Sequence, residues 1–349
     1  MPIKFDPNFV ITSKIASYLI NIESLKEKIA HLPMTSSLLL SLRETARLFT
    51  THYSTMIEGN RLEPDQIEKV LKHKEHFPGR ERDENEVKGY YAALSCVEQL
   101  AAQNMPLTEK IVQTLHALVM NKVKPTPYRD GQNVIRDSRT KTIVYMPPEA
   151  KDVSKLMKAL IEWVSVNKHI PCPIVAGIAH YQFATIHPYY DGNGRTARLL
   201  TTLVLHLGGY DLKGLYSLEE YYARNLDAYY EAISIGPSHN YYLGRETADI
   251  TKWVEYFIKG MAASFERVFK QMTKLSHLPD QTETLRHLDP KQRRALELFQ
   301  EYEVVTAAQI GALFGFKPRT STALCKAWVE SGFLEIVNLS NKARKYKLK

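Results

Sequence analysis

The segment that most constrains this chain is residues 187–205, where two glycines stand directly in front of an apolar helix. It reads HPYYDGNGRTAR and continues as LLTTLVL. Glycine takes positive φ without steric cost, and the first turn of a helix leaves backbone N–H groups free. The stretch from Asp191 to Arg195 therefore predicts an anion-binding nest, which the helix dipole reinforces and which suits phosphate groups.

The side chains around this nest indicate group transfer. Arg195 offers a planar donor fork, and Arg198 follows on the same helix face. Asp191 beside a phosphate cradle has the character of a Mg²⁺ ligand, because Mg²⁺ usually takes one carboxylate together with phosphate oxygens. His187 has an ordinary pKa near neutrality, so it can take a proton from an attacking hydroxyl. Together these residues predict nucleotidyl or phosphoryl transfer.

The same residues resemble the signature of the Fic family, H-x-F-x-[DE]-G-N-G-R-x-x-R. The constrained positions run from His187 to Arg198, and the resemblance extends over most of residues 36–235. The one departure is Tyr189, where the family usually has Phe; the substitution keeps an aromatic anchor and adds a hydroxyl.

This resemblance implies a mainly α fold, a Fic-type helical core that transfers AMP from ATP to a hydroxyl side chain (Tyr, Thr or Ser) of a target protein or of the enzyme itself. By matching position, His187 is the general base, Arg195 is a second catalytic residue that neutralises the phosphates, and Arg198 binds the γ-phosphate. The implied nucleotide-binding run is Asp191, Gly192, Asn193, Gly194, Arg195, Thr196, Ala197 and Arg198. Asp191 is the implied ligand of Mg²⁺.

Two further segments resemble parts of the family's substrate site. The sequence NVIRDSRTKTIVYMPP predicts a β-hairpin over residues 133–146. It resembles the family's flap, which docks the target segment by strand addition. Its nucleotide-side edge is implied at Asn133, Val134, Ile135 and Arg136. The sequence NLDAYYEAI resembles the adenine-side helix, so Tyr229 and Tyr230 are candidates to pack on the base, with ordinary helix packing as the alternative.

The sequence STMIEGN, residues 54–60, resembles the family's inhibitory motif, [ST]-x-x-x-E-[GN]. The matching residues are Ser54, Glu58 and Gly59. A carboxylate can occupy an arginine meant for a γ-phosphate, so Glu58 is expected to pair with Arg198 and to deny ATP its productive pose. The position of this motif marks the class in which the inhibitory helix precedes the catalytic core.

Helical periodicity dominates the rest of the chain. It predicts, among others, a helix from 108 with Thr108 as N-cap, a helix from 152 with Asp152 as N-cap, and one helix over 218–235. The predicted domains are a helical region at 1–110 with the inhibitory helix at about 41–59, the Fic core at 111–245, a long helix and linker at 246–288, and a winged helix-turn-helix at 289–349.

The C-terminal region is basic. From Arg286 onward it holds 12 Lys/Arg and 6 Asp/Glu, which is +6 of the chain's formal charge of +8. Two helices, a turn and a β-prone tail predict the winged helix-turn-helix. Its recognition helix would present Arg319, Thr320, Ser321 and Lys326, and its wing Lys342, Arg344, Lys345 and Lys347. Whether this region binds duplex DNA or a protein partner stays open.

Composition and motif spacing bear on the location and the partners of the protein. No apolar run reaches the length of a membrane span and the N-terminus lacks a signal pattern, so we expect no membrane partner. The three cysteines are far apart, which predicts reduced thiols and a cytoplasmic location. Three alternatives stay open: removal of AMP, transfer of phosphate or phosphocholine, and a DNA-binding regulator with a Fic core as sensor. Whether the chain forms a homodimer is also open.

Overall fold

The computed structural model describes residues 4–32, 34, 36–136, 140–236, 238–276, 288–338 and 344–349. The chain divides into two compact units. The first comprises Met1–Leu32 and Ala46–Phe269, and the second comprises Pro33–Thr45 and Lys270–Lys349. No helix in the described ranges is long and apolar enough to cross a bilayer.

The first unit is built mainly from helices. In chain order they are α1 (Ser13–Ala30), α2 (Ser36–Ile57), α3 (Pro64–Glu68), α4 (Glu81–Ala102), α5 (Glu109–Val119), α6 (Ala150–Val166), α7 (Cys172–Ile186), α8 (Asn193–Leu207), α9 (Leu218–Arg224), α10 (Leu226–Ile233) and α11 (Thr251–Ser276). The first residues of α2 and the last residues of α11 are assigned to the second unit. The predicted N-cap of α5 is confirmed, since the Thr108 side chain accepts a hydrogen bond from the Ile111 N–H at 3.3 Å.

Helices α7 and α8 form the centre of this unit. α7 is apolar on nearly every face and almost all of its residues are buried, which is the pattern of a helix enclosed by others. Gly177 gives α11 room to approach, because a Cβ at this position would lie 2.7 Å from the Phe257 ring. The Trp253 indole donates to the Gly177 carbonyl at 2.7 Å. The buried α7–α8 pair therefore holds the loop between its two helices, residues 187–192, on a rigid base.

The predicted hairpin over 133–146 is short in the structure. Strand β1 (Ile135–Arg136) pairs antiparallel with β2 (Ile143–Tyr145), with Ile135 opposite Tyr145 and Arg136 opposite Ile143. The register shifts between the two pairs, as at a β-bulge. The central residues of the predicted hairpin, 137–139, lie outside the described residues.

Two helix predictions are wrong in detail. α6 begins at Ala150 with Glu149 as N-cap, so Asp152 lies inside the first turn, where its carboxylate accepts from the Tyr242 hydroxyl at 2.6 Å. The single helix expected over 218–235 is broken at Asn225, whose side chain accepts from the Ala228 N–H at 3.2 Å. Asparagine prefers such capping to a helix interior, so α9 ends and α10 begins there.

Among its described residues, the C-terminal part of the second unit combines three helices with three short strands, of which the first strand is an element that the sequence does not predict. It contains α12 (Pro290–Glu301), β3 (Val305–Thr306), α13 (Ala307–Phe314), α14 (Pro318–Glu330), β4 (Leu334–Asn338) and β5 (Lys345–Leu348). The three strands form an antiparallel sheet in the order β3-β5-β4. The helices and the sheet enclose an apolar core that includes Ile310, Cys325, Trp328 and Tyr346.

One residue of the predicted recognition helix is buried. Ser321 is 1% exposed, and its hydroxyl donates to the Lys317 carbonyl at 3.1 Å. It is buried because Gly311 of α13 lies directly against it. The other predicted recognition residues, Arg319, Thr320 and Lys326, are exposed on α14. Lys342 of the predicted wing and most of the predicted linker, 277–287, lie outside the described residues.

Candidate active site

The loop that follows α7 begins with His187 in an unusual backbone conformation. His187 has φ 51°, in the left-handed region, and its N–H closes α7 on the Phe183 carbonyl at 3.0 Å. Its Nδ1 lies 3.4 Å from the Ala184 carbonyl, which can only accept. A proton on Nδ1 leaves the lone pair of Nε2 free, as a general base requires.

The pKa of His187 is lowered to about 4. Burial is the largest cause, because it disfavours the charged imidazolium, and the nearby charge of Arg129 lowers the pKa further. The Ala184 carbonyl, Glu58 and Asp191 oppose these effects. At neutral pH the imidazole is therefore uncharged and able to accept a proton.

The residues of the predicted anion nest lie at the start of α8, where the Gly192 N–H donates to Asp191 Oδ1 at 2.6 Å. Gly192 has φ 74°, which favours glycine, and caps the helix. A Cβ at this position would also press on the Met120 sulfur, at 2.9 Å. The Asn193 side chain is buried and ties the loop together, accepting from the Tyr189 N–H at 2.9 Å and donating to the Tyr189 carbonyl at 2.7 Å. Asn193 therefore shapes the nest with its side chain, and only its backbone is left for a phosphate.

Two residues of the predicted nucleotide-binding run have side chains that face the protein interior. Thr196 and Ala197 are fully buried, and the Thr196 hydroxyl donates to the Gly192 carbonyl at 2.8 Å. Burial and the helical hydrogen bond direct both side chains into the α8 packing, and the assignment of the two residues to the nucleotide-binding run stays a prediction.

Arg195 is buried among acids and keeps one donor unsatisfied. Its Nη2 lies 3.6 Å from Asp191 Oδ1, and its Nη1 lies 3.9 Å from Glu86 Oε1. Its Nε is buried and has no acceptor among the described residues. A buried donor without a partner costs about 1–3 kcal/mol, so this guanidinium is arranged to gain from an incoming anion.

Arg198 is bound by Ser54 of α2 and by Glu58, which directly follows that helix. Its Nη2 donates to Glu58 Oε1 at 2.9 Å and to the Ser54 carbonyl at 2.8 Å, and its Nε donates to the Ser54 hydroxyl at 2.8 Å. The arginine side chain is 1% exposed and the Glu58 side chain is 33% exposed. Burial is the largest single cause and lowers the pKa of Arg198, but Glu58, Tyr229 and Tyr90 together outweigh it, so the pKa is raised.

Glu58 also lies over the nest itself. A Cβ built on Gly194 would collide with Glu58 Oε1, so the carboxylate rests on the backbone of the first turn of α8. Gly59 has φ 91° and an open surrounding, so its role is to let the chain turn after α2. The pairing of Glu58 with Arg198 that the sequence predicts is therefore present in the structure.

The two candidate adenine-side tyrosines differ in placement. Tyr229 is 4% exposed and stacks on Tyr222, with ring centroids 4.8 Å apart. The Thr201 hydroxyl donates to the Ala197 carbonyl, so it accepts from His180 Nδ1. Nε2 of the neutral His180 ring is then the acceptor, and the Tyr229 hydroxyl donates to it at 3.0 Å. Tyr229 therefore packs in the core, and Tyr230, 46% exposed, is the ring open to a ligand.

The predicted flap edge lies close to the loop at one residue. The Asn133 amide donates to the Tyr189 carbonyl at 3.3 Å, so it is connected to the nest. Val134 and Ile135 are half-buried, whereas Arg136 is exposed and its Nη1 donates to the Lys141 carbonyl at 3.1 Å.

Two residues that the sequence analysis missed hold this loop. His116 of α5 stacks on Tyr189, with centroids 3.5 Å apart, and its Nε2 donates to the Asp191 carbonyl at 2.9 Å. Burial is the largest cause that lowers the pKa of His116, to about 4, so the ring is a neutral donor. Arg129, which precedes the flap, donates from Nε to the His187 carbonyl at 3.0 Å. Neither residue belongs to a motif, and each acts on backbone atoms.

Comparison with known proteins agrees with this geometry. Residues 106–205 match the Fic/DOC family. The chain is 29% identical over 210 residues to a protein adenylyltransferase of Caenorhabditis elegans, covering 58% of this chain and 40% of that protein. It is also 29% identical over 194 residues to the protein adenylyltransferase Fic of Drosophila erecta, covering 54% and 38%. The match thus spans about two fifths of the length of these curated relatives.

Solved structures show the same fold. A Fic family protein from Desulfovibrio desulfuricans superposes with a TM-score of 0.64 at 22% identity, covering 99% of this chain and 98% of that chain. A Fic-domain signalling protein from Bacteroides thetaiotaomicron gives a TM-score of 0.62 at 22% identity, covering 76% and 97%. Residues 106–205 of this chain therefore contain a Fic/DOC domain.

Proposed function

We propose that this chain is a self-inhibited protein adenylyltransferase, which transfers AMP from ATP to a hydroxyl side chain of a target protein or of itself. The observation that carries the proposal is the placement of Glu58. Its carboxylate is bonded to Arg198 at 2.9 Å and lies against the Gly194 backbone. An anion of the chain's own thus occupies the positive end of α8, where a nucleotide phosphate would bind.

The chemistry of transfer follows from the residues around that position. His187 Nε2 takes the proton of the acceptor hydroxyl, and the oxygen attacks the α-phosphate as the bond to the leaving pyrophosphate breaks. The nest at 192–194 and the unsatisfied donor of Arg195 stabilise the charge that develops on the phosphate oxygens. Arg198, once free of Glu58, binds the γ-phosphate and thereby aligns the leaving group.

The residues of the site fit Mg²⁺ only when a nucleotide is bound as well. The Asp191 side chain is 62% exposed at the nest, so its carboxylate can reach a metal. No cluster of three or more His, Cys, Asp or Glu residues able to hold a metal occurs among the described residues. Mg²⁺ commonly takes one carboxylate together with phosphates and waters, so Asp191 would hold the ion against the phosphates, where it neutralises charge.

Self-inhibition follows from competition at Arg198. While Glu58 holds the guanidinium, the γ-phosphate loses its ligand and meets a second negative charge beside Gly194. ATP then binds in a pose that does not align the α-phosphate with His187. Replacing Glu58 removes both obstacles and leaves the two Ser54 contacts of Arg198 in place.

The test measures label incorporated from α-³²P-ATP by wild type and Glu58→Gly under one condition, with a protein lysate as the source of acceptors. The variant should be at least ten times more active. Adding His187→Ala or Arg198→Ala to it should return activity to a low level, and Glu27→Gly, at an exposed glutamate of α1, should leave wild-type activity unchanged. Equal activity of wild type and Glu58→Gly would refute self-inhibition.

Removal of AMP is the second candidate, because Glu58 is close enough to influence the pKa of His187. A carboxylate beside the base could orient a water molecule toward an AMP–protein bond. The two directions make opposite predictions for one variant. If Glu58→Gly gains no transferase activity and loses the release of AMP from a modified protein, removal is the reaction.

A further inference from the structure

Arg129 is a buried arginine that the chemistry above does not use. It lies four residues before the region of the predicted flap and is 4% exposed. Burying a guanidinium is costly, and burial is the largest cause that lowers the pKa of Arg129. A charge kept inside at such cost needs a structural or functional reason.

Its hydrogen bonds join three separate segments of the chain. Nε donates to the His187 carbonyl at 3.0 Å, Nη1 donates to the Gly131 carbonyl at 3.0 Å, and Nη2 donates to the Pro148 carbonyl. The backbone N–H of Arg129 donates to the Pro188 carbonyl at 2.9 Å. All of these acceptors are backbone carbonyls, so the contacts fix main-chain positions.

The segments that it joins are the base and the two ends of the flap. Gly131 precedes β1 and Pro148 follows β2, so one guanidinium holds the two ends together. His187 is a non-glycine residue with φ 51°, a conformation that persists only where neighbouring contacts impose it. The bond to its carbonyl is one such contact.

We propose that Arg129 is a positioning residue that sets the backbone of the base and the ends of the flap as one unit, and thereby fixes the acceptor segment relative to His187. The proposal rests on the transferase function proposed above. A planar guanidinium reaches three acceptors in fixed directions, whereas a lysine ammonium is a single point on a flexible stem. Arg129→Lys therefore keeps the charge and loses the three-way connection.

The test compares Arg129→Lys and Arg129→Gln in the Glu58→Gly background. Maximal label incorporation from α-³²P-ATP should fall at least tenfold in both, while the apparent KM for ATP stays within about twofold, because none of these contacts touches residues 191–198. Arg224→Lys, at an arginine that pairs with Glu220 outside the site, should change neither value.

A second measurement, amide hydrogen exchange, does not depend on the transfer of AMP. Amide hydrogen exchange should become faster in β1, β2 and at the His187 N–H in both Arg129 variants, and remain as in the parent for Arg224→Lys. If Arg129→Gln does not fold, the test of the proposal rests on Arg129→Lys alone. Unchanged exchange together with an unchanged maximal rate in folded Arg129→Lys would overturn the proposal. Absence of transfer in the Glu58→Gly parent would refute the proposed function and leave exchange to decide the role of Arg129.

Discussion

The Glu58→Gln substitution should lower the stability of the fold and at the same time increase the stabilisation that bound ATP provides. Removing one partner of a buried ion pair costs about 3–5 kcal/mol. Here the cost is smaller, because the Glu58 side chain is 33% exposed, the amide can still accept one bond, and Arg198 keeps both contacts to Ser54. We expect the free energy of unfolding to fall by about 1–2 kcal/mol.

Thermal unfolding measures this cost. A loss of that size corresponds to a fall in Tm of about 2–8 °C for a domain of this size. With Mg²⁺ and ATP at about 100 times Kd, bound nucleotide adds about 2.7 kcal/mol of stability. The rise in Tm should be larger for Glu58→Gln than for wild type, in which ATP competes with the carboxylate.

Glu27→Gln, at an exposed position of α1, is the matched control and should behave as wild type in both conditions. If Glu58→Gln is as stable as wild type and gains no more from ATP, Glu58 neither stabilises Arg198 nor competes with phosphate. That result would remove the physical basis of self-inhibition.

Three further predictions concern the reaction itself. In the Glu58→Gly background, His187→Ala should lower the rate by about 10²- to 10⁴-fold and leave ATP affinity largely intact, as tested by incorporation assays and calorimetry. Asp191→Ala should abolish the dependence of the rate on Mg²⁺, and an unchanged Mg²⁺ titration would exclude it as the ligand. Because the folded pKa of His187 is about 4, below its ordinary 6.5, the base is active above that pKa. The rate should therefore change little from pH 8 to 6 and fall as the pH approaches 4, and an acidic limb centred at 6.5 or higher would contradict this.

Acid should also destabilise the fold over a similar range. The buried rings of His116 and His187 have pKa values of about 4, and that of His180 about 3, mainly because burial disfavours their charged forms. An unfolded chain binds these protons near pH 6.5, so the stability that the neutral rings preserve above pH 6.5 is lost as the pH falls toward 4. The pH profile of the rate is therefore to be read together with circular dichroism at each pH.

The parts of the site that the sequence could predict are those encoded over short distances. The nest and Arg198 lie within eight positions of Asp191, so helical geometry alone places them together. Glu58 was assigned from a motif, and its contact with Arg198 required only that α2 reach the start of α8.

The rest depends on contacts that sequence patterns do not carry. Tyr229 and Tyr230 point in different directions because consecutive helical residues are about 100° apart, and the sequence alone does not indicate which of them is buried. Ser321 looked like a surface hydroxyl, yet the close approach of Gly311 encloses it. Arg129 and His116 bind carbonyls far away in the chain, and any residue supplies a carbonyl, so no side-chain pattern marks these partners.

The way Ser54 and Glu58 bind Arg198 has a consequence for the proposed self-inhibition. Arg198 donates three hydrogen bonds to this segment. Ser54 accepts two of them, one at its hydroxyl and one at its backbone carbonyl, and the Glu58 carboxylate accepts the third. The helix can therefore stay docked while the glutamate changes rotamer, a local event far faster than departure of a helix. ATP then competes with a tethered side chain whose effective concentration is set by the fold. Under the proposed function, activity should therefore rise gradually with ATP concentration while α2 stays docked.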